Sequence, residues 1–141
     1  MSGDVIQLTE HFALRRQPRP GGDRIACACC GAVKLTDAFW SHLDRVEQLR
    51  ADVGFGLRMT CGHRCPKHNA AVGGAEQSVH LDFATDLQPW DRDADKLAVL
   101  WAWATEANFD GMGLYNTFVH LDSRALLGRP APARWDRRTQ G

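Results

Sequence analysis

The stretch Ser78 to Asp86, "SVHLDFATD", decides how this chain is read. Alternation from His80 puts His80, Asp82, Ala84 and Asp86 on one face of an extended segment, with Leu81, Phe83, Thr85 and Leu87 on the other. A strand so built, predicted over 80–88, turns an apolar face to a core and offers a cation one imidazole and two carboxylates. A second stretch, "FVHLDS" from Phe118 to Ser123, repeats the chemistry: Val119 and Leu121 point inward, His120 and Asp122 lie on the opposite face. Should the two strands lie near each other in one sheet, His80, Asp86 and His120 converge as a His-Asp-His set with a fourth position open. Such a set suits Zn²⁺, whose catalytic sites keep three protein ligands plus water. Either segment alone is better explained as a hydrogen-bonded structural histidine on a half-buried strand.

Working outward, Thr36 reads as an N-cap, followed by Phe39, Leu43, Val46, Leu49 and Val53 at helical spacing, with Gly54 as the stop. "LRMT" (57–60) reads as a short strand and "CPKHNAAV" (65–72) as a short helix. Asp93 caps a second long helix whose buried stripe is Leu97, Leu100, Trp101 and Ala104. "MGLYN" and "FVHLDS" read as two tightly joined strands. The chain from Gly128, rich in Pro and Arg, is expected to be irregular. This order predicts an α+β fold, a small antiparallel sheet with flanking helices.

Composition narrows the function. A chain of 141 residues with 44% hydrophobic residues and five Trp fits one domain with its own core. Lys+Arg and Asp+Glu balance at 17 each, which argues against nucleic acid or an anionic membrane as partner. The arginines Arg129, Arg134, Arg137 and Arg138 are read as a solvated end, with Trp135 docked on the domain. No apolar run approaches the roughly 20 residues of a membrane span, and the opening "MSGDVIQL" lacks the features of a secretory signal. Synthesis in the cytoplasm and a monomeric state are therefore expected. Five cysteines cannot all pair within one chain; Cys27 and Cys30 form C-x-x-C, Cys61 and Cys65 form C-x-x-x-C, and Cys29 lies between the first two. Cys27, Cys30, Cys61 and Cys65 could build a structural zinc site, join through a disulfide, or remain buried thiols.

The segments "MTCGHRCPKHNAAVGGAEQSVHL", "ATD" and "FDGMGLYNTFVHLDSR" resemble the zinc D-Ala-D-Ala carboxypeptidase family, peptidoglycan peptidases of the Hedgehog/DD-peptidase fold. Its motifs run approximately S-G-Y-R-C-P-x-H-N, G-G-x-x-x-S-x-H-x-x-G-x-A-x-D and G-I-G-x-Y-x-x-F-V-H-x-D. With "LTEHFAL" the resemblance extends from about Leu8 to Arg124, which implies a single domain over 1–124 and a tail over 125–141. It implies zinc on His80, Asp86 and His120, with a water activated by the metal for attack on a peptide bond of a stem peptide. Arg64 is implied as the residue that binds substrate carbonyl or carboxylate, with Ser78 holding the loop before His80 and Tyr115 lining the cleft. Relatives also carry cysteines near both places, which favours a staple between the amino-terminal arm and the sheet.

The departures bear on mechanism. Cys61 and His63 replace a Ser and a Tyr, and His80 and Asp86 stand six positions apart rather than seven, which makes Asp82 a rival ligand to Asp86. The positions where relatives place a catalytic base hold Thr117 and Phe118. Asp122 is the nearest substitute, either as general base or as the carboxylate that orients His120. Two functions follow: a zinc metallopeptidase of D-Ala-D-Ala carboxypeptidase or L-Ala-D-Glu endopeptidase type, such as a phage endolysin, and a noncatalytic zinc-stabilised domain that binds cell-wall peptide or a protein partner.

Overall fold

The computed structural model of the chain describes residues 5–15 and 22–139. The ends of the expected domain and tail, residues 1–4 and 140–141, lie outside the described residues, as do 16–21. Strands β1 (Val5–Gln7) and β2 (Ala13–Arg15) pair with each other antiparallel. Helix α1 (Asp37–Val53) starts where Thr36 Oγ1 accepts the Phe39 N–H at 3.2 Å, and ends at Gly54 with φ of 76°. Strand β3 (Leu57–Cys61) and helix α2 (Pro66–Ala71) follow, then β4 (Thr85–Pro89) and helix α3 (Ala94–Ala107). Asp93 caps α3 by accepting the Lys96 N–H at 2.9 Å. Strands β5 (Gly111–Leu114), β6 (Val119–Asp122) and β7 (Ala133–Asp136) complete the chain.

The main sheet runs β3-β4-β6-β5-β7, antiparallel throughout except for the parallel pair β5 and β7. Phe39, Leu43, Val46 and Leu49 of α1 and Leu97, Leu100 and Ala104 of α3 join Met59, Leu87, Met112, Val119 and Leu121 of the strands in one core. Trp101, expected on the buried stripe, is only partly buried against that core. The architecture is mixed α+β, and among the described residues no helix is long and apolar enough to cross a membrane.

Two expectations are corrected. The strand predicted over 80–88 starts only at Thr85, because residues 79–81 form a single 3₁₀ turn. Local hydrogen bonds win there over extension: Ser78 Oγ accepts the His80 N–H at 3.1 Å, Leu81 N–H reaches Ser78 O, and Asp82 N–H reaches Val79 O. His63 Nδ1 then donates to the Asp82 carbonyl at 2.9 Å, and Phe83 is buried with its ring 4.4 Å from that of Phe39. The chain past Gly128 is also more than an irregular end, since β7 supplies the fifth strand of the sheet. Trp135 on β7 explains why Gly113 is glycine: a Cβ there would collide with the indole.

Candidate metal centre

The β4–β6 register sets Asp86 directly opposite His120, and the turn before β4 delivers His80 to the same place. His80 Nδ1 donates to the Gly62 carbonyl at 2.7 Å, which leaves Nε2 facing Asp86 Oδ1 at 3.2 Å. His120 makes the opposite choice. Its Nε2 donates to Asp122 Oδ2 at 2.7 Å, and its Nδ1 stands 3.2 Å from Asp86 Oδ1. A carbonyl and a carboxylate only accept, so both far nitrogens carry hydrogen and both near nitrogens face one carboxylate oxygen, as N–H donors when the rings are protonated and as lone pairs when a metal takes the protons' place. Lone pairs aimed at an anion repel it unless positive charge lies between them. The donor set therefore fits Zn²⁺, with imidazole and carboxylate ligands and each imidazole held from behind.

The electrostatics agree. Burial disfavours charge on His80, yet its hydrogen bonds to Asp86 and then Cys61 outweigh burial and raise it to about 9. Burial likewise opposes the charged form of His120, but Asp122 and Asp86 raise it. Asp86 is held below the ordinary carboxylate range because His120 and His80 overcome the opposing effect of burial. Asp122 is held low in the same sense, burial being outweighed by His120 and Arg124. In the absence of metal, protons supply the positive charge that this cluster gathers.

Cys61 approaches from behind His80, with Sγ 3.6 Å from Nδ1. Single ligand atoms of Cys61, His80 and Asp86 can be found within 4.8 Å of one another, but Nδ1 is already committed to Gly62. His80 Nε2 and His120 Nδ1 are the two imidazole nitrogens that face Asp86. Asp82 is elsewhere: without a continuous strand it leaves the face of His80, is partly exposed, and lies 3.5 Å from Lys34 Nζ.

The centre lies in a cleft of about 520 Å³ lined by Arg64, Ser78, Tyr115 and Phe118, with Arg124, Arg129, Arg137 and Trp135 at its other walls. Arg64 donates from Nη2 to Ser78 Oγ at 3.1 Å, its backbone N–H reaches His80 O at 2.8 Å, and its Nε is buried with no partner. Tyr115 stacks on Phe118 and its hydroxyl accepts the Trp135 indole N–H at 3.0 Å. Asp122 is fully buried and lies on the side of His120 turned away from Asp86. There it also accepts from Arg124 Nε at 3.0 Å and Nη2 at 2.8 Å.

The part that three residues play at the site escaped the sequence reading, including that of Trp135, which it docks on the domain without placing it here. Arg124 sits two residues past Asp122 and its grip on that carboxylate has no sequence signature. Trp135 packs with its ring 5.0 Å from that of His120, although it follows a Pro-rich segment that promised no strand. His42 lies behind the sheet, bonded to Ser123 Oγ at 2.7 Å and Thr85 Oγ1 at 3.1 Å, and burial pulls it down to about 3, so it is neutral. The cysteine grouping also changes: Cys27, Cys29, Cys30 and Cys65 come together, while Cys61 stays beside His80, and all five are free thiols.

The family model described as Peptidase M15 matches residues 23–122. The match opens at Asp23, past the "LTEHFAL" segment, and includes His80, Asp86, His120 and Asp122. Neither the curated proteins nor the solved structures give a match.

Proposed function

The chain belongs to the peptidase M15 family, and from that premise we propose that it is a zinc metallopeptidase that hydrolyses peptide bonds in peptidoglycan stem peptides. The observation that carries the reading is the convergence of His80 Nε2 and His120 Nδ1 on Asp86 Oδ1 inside an arginine-lined cleft. Zinc, when bound by these three residues, supplies the Lewis acid that polarises a scissile carbonyl and acidifies water.

The chain's own residues do the rest. Gly62 and Asp122 fix the two imidazole tautomers, so that neither ligand can turn away. Arg64, anchored by Ser78, lines the cleft and offers its guanidinium to a substrate carbonyl or carboxylate. Arg124, Arg129 and Arg137 add positive walls, which favours a substrate with an anionic end, as D-Ala-D-Ala and D-Glu-containing peptides both have. Asp122 acts here through His120, as a positioning residue. The architecture we assign is Hedgehog/DD-peptidase-like.

One observation favours a second reading. Among the described residues lining the cleft, Asp86 is the one carboxylate, so no acid beside the centre is available to carry a proton from water to a leaving amine. A domain that holds zinc and binds cell-wall peptide without cutting it is consistent with that wall. Digestion of purified peptidoglycan by zinc-loaded protein, with released termini identified by mass spectrometry, decides between them. New D-Ala carboxylates or new D-Glu amines establish the peptidase and its bond. Sedimentation with the wall and no new termini establishes the binding domain.

A further inference from the structure

We propose that Cys27, Cys29, Cys30 and Cys65 form a second metal site, a four-thiolate centre for Zn²⁺ that fastens the segment before α1 to the start of α2. A sulfur from each can be placed within 4.8 Å of the others, with Cys29 and Cys65 Sγ 3.4 Å apart and Cys27 and Cys29 Sγ 3.6 Å apart. No covalent bond joins them. Their convergence is built into the backbone. Cys27 O accepts the Gly31 N–H and Cys27 N–H donates to Ala32 O, both at 2.8 Å, and Gly31 takes φ of 74° to close the turn. That turn presents Cys27, Cys29 and Cys30 to Cys65, which lies 38 positions past Cys27 at the N-cap of α2.

The sulfurs are surrounded by donors suited to thiolates. Cys27 Sγ accepts the Cys65 N–H and Cys65 Sγ accepts the His68 N–H, each at 3.4 Å. Four converging cysteine sulfurs are a common structural zinc set, in which each binds as thiolate. Loading displaces the thiol protons to solvent and needs no oxidant.

The position gives the ion a task. Arg24 N–H reaches Met59 O and His63 N–H reaches Ile25 O, both at 2.8 Å, so the arm lies along β3 before it meets Cys65. Cys65 directly follows Arg64, whose own N–H holds the His80 carbonyl. Metal at the four cysteines would fix both Arg64 and the turn that carries His80.

Zinc counting on the full chain, purified under reducing conditions without chelator, tests this. Wild-type protein is expected to carry about two zinc ions, His120→Ala about one, and the double variant Cys29→Ser, Cys30→Ser about one. If the serine variant does not fold, cobalt(II) loading of His120→Ala protein gives the same answer through an intense sulfur-to-cobalt charge-transfer band that a mercurial thiol reagent abolishes. His120→Ala protein with no zinc and no such band overturns the proposal, as does a disulfide linking Cys29 to Cys65 in the purified protein. None of these readouts depends on peptidase activity, so they stand whether or not the peptidase reading does.

Discussion

Replacement of Asp122 by Asn tests whether this carboxylate works through His120 or moves a proton itself. Asp122 is fully buried and accepts four hydrogen bonds: His120 Nε2 at 2.7 Å, Arg124 Nη2 at 2.8 Å, and Arg124 Nε and backbone N–H at 3.0 Å each. Asparagine keeps the shape but loses the charge and turns an amide toward one set of donors. A hydrogen bond to a charged group contributes about 1.5–3 kcal/mol, and Arg124 is partly open to water, so a stability loss of about 1–3 kcal/mol is expected. His120 loses its anionic partner and becomes a weaker, less oriented ligand, which costs roughly 10–100-fold in zinc affinity. Competition against a chromophoric chelator measures that affinity, and turnover is compared at saturating zinc. With zinc restored, activity should return to within about tenfold of wild type. Unchanged zinc affinity combined with turnover lowered by on the order of 10²–10⁴ at saturating metal would show that Asp122 is the proton carrier, and the positioning argument would fail.

Three further outcomes are expected. Arg64→Lys keeps charge but loses the planar fork that lines the cleft, so KM or kcat for a stem peptide should worsen by at least about tenfold while zinc content stays unchanged; equal kinetics would remove Arg64 from substrate handling. His42 is neutral in the fold because burial lowers it from 6.5 to about 3, so the unfolded chain binds the extra proton between those values. Stability should therefore fall as pH drops below 6.5, with a slope of up to about 1.4 kcal/mol per pH unit from this group. Urea unfolding of metal-free wild type and His42→Gln across that range should show a flatter pH dependence in the variant, and parallel curves would refute the assignment. Gly113→Ala places a methyl group into the Trp135 indole, and a cost of about 1–3 kcal/mol is expected, read as a lower thermal midpoint; an unchanged midpoint would mean that β7 yields freely.

Much of this protein is local and therefore legible in its sequence. The caps Thr36 and Asp93, the stripes Phe39 to Leu49 and Leu97 to Ala104, and the stop at Gly54 depend on neighbours within a turn or two, and the helices form where those signals stand. Alternation in Val119 to Asp122 also holds, because a strand between two partners has no other way to place its side chains. His80 and Asp86 drew attention by alternation, but His80 reaches its place through a 3₁₀ turn. Ser78 and His63 supply the hydrogen bonds that bend it, and His63 stands 17 positions before His80. Only tertiary structure decided which imidazole nitrogen faces Asp86, that Asp82 goes to Lys34, and that Cys29 rather than Cys61 joins Cys27, Cys30 and Cys65. Only it brought Arg124 to the cleft from the turn after β6, and Trp135 on a strand paired in parallel with β5. Each of these depends on the direction of a side chain relative to a distant backbone, and periodicity along the chain carries no information about that direction.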